Sequence, residues 1–423
     1  MRLFTTCHAA LLMPLAALLL ALAPACRPSE PDGDGRGGGS TDEAVHPILW
    51  SRDFGPEPGG GFVSASPLLE GAVVLAGFAV PSAGNGSGTD AWLVRVDHDG
   101  SVRWQAFLGG SGEDRAMSVA PAGGGGEGWL AAGWTLSPDG DFPASGGGTP
   151  GAWAAGLDGS GKLLWSRVLP GRGSGGGRAL AVGGEPDGSV TVVGFAGDPA
   201  VPAGPGCSGP GPVLWKLSSD GNGARAICPA LDTGDSPHGW AAVAPGGGAV
   251  FVYGDRGEIR VADVGPEGEI LWDSSAGPGT ASAGAVGVAK GGSVAVGGSD
   301  PEGNPLMAGL DTAGRLLWRT SVRGFGPGSV SSVARGRGWW FGIGRTEGDR
   351  PGVLCVLTDN YGLILWSAVL SGTEGAGGQA AAALVEGIIV ASGGMPRDGI
   401  FPGSAPADPF SGAAGPRVVK LSS

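Results

Sequence analysis

A repeated unit constrains the fold of this chain more than any other feature. The unit is an apolar strand, a turn of the form Asp-x-x-Gly and a second strand that ends in tryptophan. Clear copies end at Trp104, Trp165, Trp318 and Trp366, a looser copy ends at Trp272, and a degenerate copy has Ala226 near the tryptophan position. Asp bonds its own backbone in such a turn and Gly accepts a positive φ, so each copy is predicted to be a β-hairpin.

A second predicted hairpin lies between these copies. Examples pair residues 116–121 with 128–134, 284–289 with 293–298, and 329–334 with 338–344. Four short strands per unit, repeated at about the length of one blade, predict a β-propeller. A tryptophan that recurs at one blade position is expected to pack between blades. In the adjacent pair Trp339-Trp340, one ring is expected in the core and the other nearer the surface, because neighbouring strand residues face opposite sides.

The two chain ends predict how the ring closes. The segment RVVKLSS (417–423) aligns with 152–158 and stops where the hairpin turn should begin, whereas PILWSR (47–52) aligns with 162–167, the strand after that turn. The N-terminal strand should therefore complete the C-terminal blade and remove exposed sheet edges. We predict an all-β, seven-bladed β-propeller of four-stranded blades over residues 46–423.

Composition and charge limit the class of function. The 89 glycines and 34 prolines approach the level of a disordered chain, but they bracket short apolar runs at regular intervals, and 41% of residues are hydrophobic. A net charge of −13 without any run of Lys or Arg argues against nucleic-acid binding. It also argues against docking on anionic lipid through a basic patch.

The N-terminus predicts export. Residues 1–25 combine Arg2 with an apolar stretch and small residues, as in a signal peptide. The sequence LAPAC resembles a bacterial lipobox, which predicts lipidation of Cys26, a flexible tether over 26–45 and membrane attachment through the lipid alone. The alternative is ordinary signal cleavage just before that cysteine. Arg27 in place of aspartate favours the outer membrane or cell surface of a diderm bacterium.

The other cysteines suit an oxidising compartment. Cys207 and Cys228 flank one predicted hairpin, so a disulfide between them is expected, with two unpaired thiols as the alternative. Cys355 lies inside an apolar run and is expected to be a buried core thiol.

A family resemblance supports the fold. Residues 107–143 resemble the SBBP repeat of bacterial seven-bladed propellers through GGSG-x-D, a Gly-aromatic-Thr strand end and a closing Asp-Phe-Pro. Blade two alone carries the full motif, and blade seven keeps Ile-Phe-Pro at 400–402. The resemblance implies an envelope or surface propeller, and it adds little about the ligand.

The tryptophan hairpins are also similar to the repeats of quinoprotein dehydrogenases and of a propeller lipoprotein that assists outer-membrane barrel assembly. The quinoprotein motif has one more residue between Asp and Gly, and no adjacent cysteine pair accompanies the repeats here. A quinoprotein-like oxidoreductase and an adaptor in outer-membrane protein assembly are therefore the alternative functions.

Catalytic motifs do not emerge from the sequence. None of the four histidines stands near a serine or cysteine in a nucleophile-elbow context, and CxxC, HExxH, Walker and EF-hand patterns do not occur. The pairs Glu113/Asp114 and Asp139/Asp141 fall in predicted loops, with too few ligands for calcium. We therefore expect no catalytic residue, no cofactor and no metal site, and we predict a monomeric binding or scaffold protein rather than an enzyme.

Loop lengths predict where a partner binds. The connection from the second to the third strand is long in blades one, two, three and seven, at 80–90, 135–151, 196–211 and 394–415. It is short in blades four, five and six, at 254–258, 298–305 and 345–351. Blades seven, one, two and three are consecutive in a ring, and we call their long connections the long-loop arc.

Binding residues concentrate on loops that a rigid scaffold holds, so the long-loop arc is the predicted site for a protein or glycan partner of the cell envelope. The candidate contacts are Asp141, Phe142, Phe401 and Phe410. In the alternative interpretation, these phenylalanines anchor their own loops over the blade.

Overall fold

The computed structural model describes residues 48–54, 60–68, 70–81, 88–123, 127–142, 150–170, 177–196, 211–233, 239–347, 351–371, 376–384, 387–394 and 417–422. All described residues belong to one compact unit, residues 45–423. The predicted signal peptide, Cys26 and the tether lie outside the described residues. Among the described residues, no helix is long and apolar enough to cross a membrane.

The described chain forms seven antiparallel sheets of four strands each. The first strand, β1 (Ile48–Asp53), belongs to blade seven. Blades one to three comprise β2 (Gly61–Pro67), β3 (Val73–Ala79), β4 (Asp90–Val96), β5 (Val102–Leu108); β6 (Asp114–Pro121), β7 (Trp129–Thr135), β8 (Gly151–Leu157), β9 (Leu163–Val168); and β10 (Gly177–Gly184), β11 (Val190–Ala196), β12 (Gly211–Leu217), β13 (Arg225–Ile227).

Blades four to seven continue in the same order. They comprise β14 (Gly239–Val243), β15 (Ala249–Asp255), β16 (Glu258–Val264), β17 (Ile270–Pro278); β18 (Thr280–Val288), β19 (Val294–Ser299), β20 (Pro305–Leu310), β21 (Leu316–Ser321); β22 (Gly328–Arg335), β23 (Trp339–Thr346), β24 (Gly352–Asp359), β25 (Ile364–Ser371); and β26 (Ala376–Ala383), β27 (Gly387–Gly394), β28 (Arg417–Ser422).

The ring closes as the chain ends predict. Strand β1 pairs antiparallel with β28, and the sheet order of blade seven is β1-β28-β27-β26. The first strand of each blade contacts the first strands of both neighbouring blades, including β2 with β26, so these strands lie innermost. The prediction of a seven-bladed β-propeller of four-stranded blades is confirmed.

The apolar core lies between blades. Each of seven large clusters joins strands of two neighbouring blades, and the second strands β3, β7 and β11 are buried along their whole length. A sheet that is covered on both faces carries continuous apolar runs rather than alternating ones. The largest fully buried side chains include Trp134, Trp153 and Trp215.

The recurring tryptophans join neighbouring blades on the outer side of the ring, as predicted. The Nε1 atom of Trp50 donates to the carbonyl of His98 at 2.8 Å, and Nε1 of Trp272 donates to the carbonyl of Thr312 at 3.1 Å. Each bond runs from the outermost strand of one blade to the hairpin turn of the next. The adjacent pair also behaves as expected, because Trp340 is 3% exposed whereas Trp339 is only partly buried against the next blade.

Candidate functional site on the long-loop arc

The unequal connections predicted from the sequence are present in the fold. Blades one, two, three and seven have the connections 80–89, 136–150, 197–210 and 395–416 between their second and third strands. Blades four, five and six have 256–257, 300–304 and 347–351. The long connections thus belong to four consecutive blades, and large parts of them lie outside the described residues.

A hydrogen bond that recurs at three of the seven blade boundaries places the connection of one blade beside the start of the next innermost strand. The first residue of an innermost strand donates its N–H to a carbonyl in the connection of the preceding blade. The pairs are Asp114 to Thr89 at 2.6 Å, Gly177 to Pro150 at 2.7 Å, and Gly328 to Gly303 at 2.9 Å. We call this end of the ring the upper face. The connections of blades one and two and the inner ends of blades two and three therefore share one face.

In the SBBP-like motif of blade two, side-chain oxygen atoms accept hydrogen bonds from a run of backbone N–H groups. Four consecutive N–H groups of the segment 109–112, which links blades one and two, each meet a different side chain. Gly109 donates to Asp141 Oδ2 at 3.0 Å, Gly110 to Asp114 Oδ2 at 2.9 Å, Ser111 to Asp139 Oδ1 at 2.7 Å and Gly112 to Ser137 Oγ at 2.8 Å. Bonds from carboxylates to backbone N–H groups are among the stronger hydrogen bonds. They fix the start of the blade-two connection.

Close packing of carboxylates explains the glycine at position 109. A Cβ atom on Gly109 would lie 2.5 Å from Asp90 Oδ1 and 2.7 Å from Asp114 Oδ2. Any larger residue would have to displace one of these side chains, so a glycine is required for steric reasons.

The same crowding makes the site electrostatically unusual. Burial, followed by the nearby charges of Asp114 and Asp141, raises the pKa of Asp90 to about 6. Burial also raises the pKa of Asp114, against hydrogen bonds from Ser137, Thr135 and Gly110 that favour its ionised form. Within the described part of the chain, no group of three or more His, Cys, Asp or Glu side chains has a metal-binding arrangement. The hydrogen bonds of Asp114, Asp139 and Asp141 anchor the loop.

The structure assigns roles to two of the predicted contact residues. The carboxylate of Asp141 caps Gly109, and its carbonyl accepts a bond from Ser166 Oγ at 2.5 Å. Phe142 is fully buried and stacks on Trp153 with ring centres 4.3 Å apart. Phe142 therefore anchors its own loop, as the alternative interpretation has it, and in this structure it offers no surface to a partner.

The remaining predicted residues are only partly placed. Phe401, Phe410, Cys207 and Cys26 lie outside the described residues, so their roles stay predictions. Cys228 is disulfide-bonded, and its pairing with Cys207 stays a prediction. Cys355 is a buried free thiol, and burial raises its pKa to about 12.

Sequence reasoning missed two arginines on the upper face. Arg115 and Arg178 lie near the starts of the innermost strands of blades two and three and stack on aromatic rings. The available signal was an arginine that recurs early in the innermost strand, together with the Gly-aromatic pair that ends the second strand. Neither pattern indicates a contact within one repeat, because the arginine and the aromatic ring on which it stacks belong to neighbouring blades.

A cavity of about 270 Å³ lies on the opposite face, between blades four and five. Turns at residues 244–248, 263–266 and 288–292 form most of its lining, with Asp263 and Lys290 as the charged groups. Burial raises the pKa of Asp263. The cavity is open to solvent, and the long-loop arc is at the other end of the ring.

The fold places the chain in the class of seven-bladed β-propellers. No family model matches the sequence, and no curated protein matches it. Solved structures with a similar fold include the WD40 β-propeller domain of Doa1, with a TM-score of 0.49, 10% identity, and coverage of 88% of this chain and 95% of that one.

A second similar structure is Sqt1 from Chaetomium thermophilum, with a TM-score of 0.47, 15% identity, and coverage of 89% of this chain and 98% of that one. A third is the S511A mutant of puromycin hydrolase, with a TM-score of 0.49, 16% identity, and coverage of 82% and 53%. Likeness at this level concerns the fold alone. A propeller fold by itself does not decide between catalysis and binding.

Proposed function

We propose that this protein is a non-catalytic binding propeller of the cell envelope, held at the outer membrane by lipid on Cys26. It presents the long-loop arc to a protein or glycan partner. The observation that carries the proposal is the grouping of the long connections on four consecutive blades, with those of blades one and two held beside the starts of the next innermost strands.

The anchoring of the blade-two loop supports this proposal. Asp114, Asp139 and Asp141 cap the segment 109–111, while Phe142 is buried against Trp153. A loop whose base is fixed loses less conformational entropy when it binds, which favours affinity. Long loops that a rigid scaffold positions are typical of recognition surfaces.

The test is affinity capture from detergent-solubilised envelope with the full-length protein. One variant has the connections of blades two and seven shortened within 143–149 and 395–415. A control variant replaces the exposed residues 301–302 of blade five with Gly and Ser at constant length, which keeps the buried Asp300 and its bonds to Asn304. We expect a partner to be retained by the wild type and the control and lost by the shortened variant, with all three showing similar thermal unfolding.

Other outcomes would contradict the proposal. If the shortened variant recovers as much partner as the wild type, the partner does not bind at the long-loop arc. Failure to retain any protein or glycan, combined with a cofactor absorbance, would favour the quinoprotein-like alternative. Lipidation is tested separately by mass spectrometry of the mature N-terminal peptide, where a diacylglyceryl mass on Cys26 is expected and an unmodified peptide would refute the anchor.

A further inference from the structure

Two arginines occupy equivalent places at the upper face. Arg115 is the second residue of β6 and Arg178 is the second residue of β10, the innermost strands of blades two and three. The residue before each of them makes the repeated hydrogen bond to the connection of the preceding blade. Both arginines therefore lie where the innermost strands begin, next to the long-loop arc.

Each guanidinium stacks on an aromatic ring of the preceding blade. The Cζ atom of Arg115 lies 4.1 Å from the ring centre of Phe78, and Cζ of Arg178 lies 5.6 Å from that of Trp134. Arg115 Cζ is also 5.3 Å from the Trp134 ring, so both cations stack on one indole. An aromatic face attracts a cation, but it does not accept the in-plane N–H groups of a guanidinium.

The charge of Arg115 is poorly compensated. Its side chain is 14% exposed, and the one carboxylate in ion-pair range within the described residues is Glu113, at 3.7 Å. Arg115 Nε is buried and has no hydrogen-bond partner in the described part of the protein. Burial lowers the pKa of Arg115, and burial together with the charge of Arg115 lowers the pKa of Arg178 to about 10. Buried charges are normally paired, and an added anion would complete the compensation of the charge on Arg115.

Another stacked arginine shows that stacking alone does not leave a donor free. Arg335 Cζ lies 4.6 Å from the ring centre of Trp340, and its Nη1 donates to the carbonyl of Trp339 at 2.8 Å and to Asn360 Oδ1 at 2.6 Å. Stacking alone therefore does not explain why Arg115 Nε has no hydrogen-bond partner among the described residues.

We infer that Arg115 and Arg178 form an oxyanion-binding position on the upper face, which takes a carboxylate or phosphate group of the ligand. Guanidinium groups bind such oxyanions with two parallel N–H bonds, and the stacked rings hold the planes of these two groups in place. The inference rests on the proposed function in taking this oxyanion to be part of the partner that binds the long-loop arc.

The test is an NMR titration of the full-length protein labelled with ¹⁵N-arginine, in detergent and at constant ionic strength. Sodium phosphate and sodium succinate are the two probes, and sodium chloride is the reference salt. We expect saturable shifts of the Nε–Hε signals of Arg115 and Arg178 with no shift of Arg335. The variants R115K and R178K assign the signals, and a stronger response to one probe identifies the preferred oxyanion.

Affinity in the variants separates a specific site from general screening. We expect R178Q to weaken binding of the preferred anion by roughly tenfold or more, because a bidentate contact is lost, and R335Q to leave it unchanged. Thermal unfolding of R178Q checks that the fold is retained, and R178K repeats the comparison with the positive charge kept. Shifts that do not saturate, or equal affinity in R178Q and R335Q, would overturn the inference.

The two proposals fail separately. Saturable anion binding together with unchanged partner capture by the loop-shortened variant would contradict the long-loop arc as the partner site and leave the oxyanion position standing. Loss of the partner on loop shortening, without anion binding, would contradict the oxyanion position alone.

Discussion

The indole of Trp104 lies directly on Gly161, across the seam between blades one and two. A Cβ atom on Gly161 would be 2.6 Å from the Trp104 ring, and Trp104 Nε1 donates to the carbonyl of Gly159 at 3.1 Å. The same ring-on-glycine contact recurs in the pairs Trp50–Gly100, Trp165–Gly221, Trp272–Gly314 and Trp318–Gly362. The Asp-x-x-Gly turn thus has two roles, because it reverses the chain and receives the tryptophan of the preceding blade.

Replacing a glycine at this contact should lower the free energy of unfolding by more than the backbone strain alone would. Gly161 has φ +84°, so Gly161→Ala combines a strained backbone with a clash against Trp104. We expect a loss of about 3 kcal/mol in the free energy of unfolding. Gly246 has φ +83° with nothing within 4 Å, so Gly246→Ala should cost only about 1 kcal/mol. Urea unfolding of both variants measures the difference. Equal losses of unfolding free energy would show that the Trp104 ring does not restrict position 161.

At the seam between blades three and four, the tryptophan that recurs at the end of the outermost strand is missing. Ala226 occupies that region, and Ile227 is the side chain that packs against Gly268 in the next hairpin turn. Strand β13 has only 3 residues, and its ion pair from Arg225 to Glu267 is largely exposed, so it adds little stability. We expect amide hydrogen exchange in β13 to be faster than in β9 and β21. Equal protection of the three strands would show that Ile227 replaces the tryptophan fully.

Stability should depend on pH through Asp90. Its pKa in the folded protein is about 6, above the ordinary value of 3.8, so the folded state binds the proton more tightly than the unfolded state. The contribution of the protonated Asp90 to the free energy of unfolding is fully present below pH 3.8 and is lost as the pH rises through 6. Asp90→Asn should therefore stabilise the protein at pH 7, by about 1 kcal/mol because solvent screens this partly exposed group, and have little effect at pH 4.

Asp220 provides the opposite control. Hydrogen bonds from Ser218 and Asn222 lower its pKa to about 2, so its carboxylate favours the folded state above pH 3.8. Asp220→Asn should lower the thermal unfolding midpoint at pH 7. A midpoint change of the same sign in both variants would contradict the electrostatic account of Asp90.

The fold was predictable because its determinants repeat along the chain. The hairpin with its terminal tryptophan, the buried second strand and the matching chain ends are all local patterns, and they define seven blades and their closure. For the candidate binding face, the sequence predicted the unequal lengths of the connections but not the side-chain contacts beside them. The Trp104–Gly159 bond joins residues 55 apart, and the stacking of Arg115 on Phe78 likewise crosses a blade seam. No single unit of sequence contains both partners of such a contact, so the cation–aromatic stack was not visible before the blades were placed together.

The last prediction concerns Phe142, whose buried ring is expected to anchor the blade-two loop to the blade. A residue that contacts the partner directly would lose binding on truncation and leave stability unchanged, whereas Phe142 is 0% exposed and stacks on Trp153. We expect Phe142→Ala to lower the free energy of unfolding by about 3 kcal/mol and Phe142→Leu by clearly less, because leucine refills most of the space. Leu365 is 54% exposed, so Leu365→Ala should change stability by about 0.5 kcal/mol or less. Urea unfolding of the three variants decides the point: an unchanged free energy in Phe142→Ala would mean that the ring does not anchor the loop, and it would restore Phe142 as a candidate partner contact.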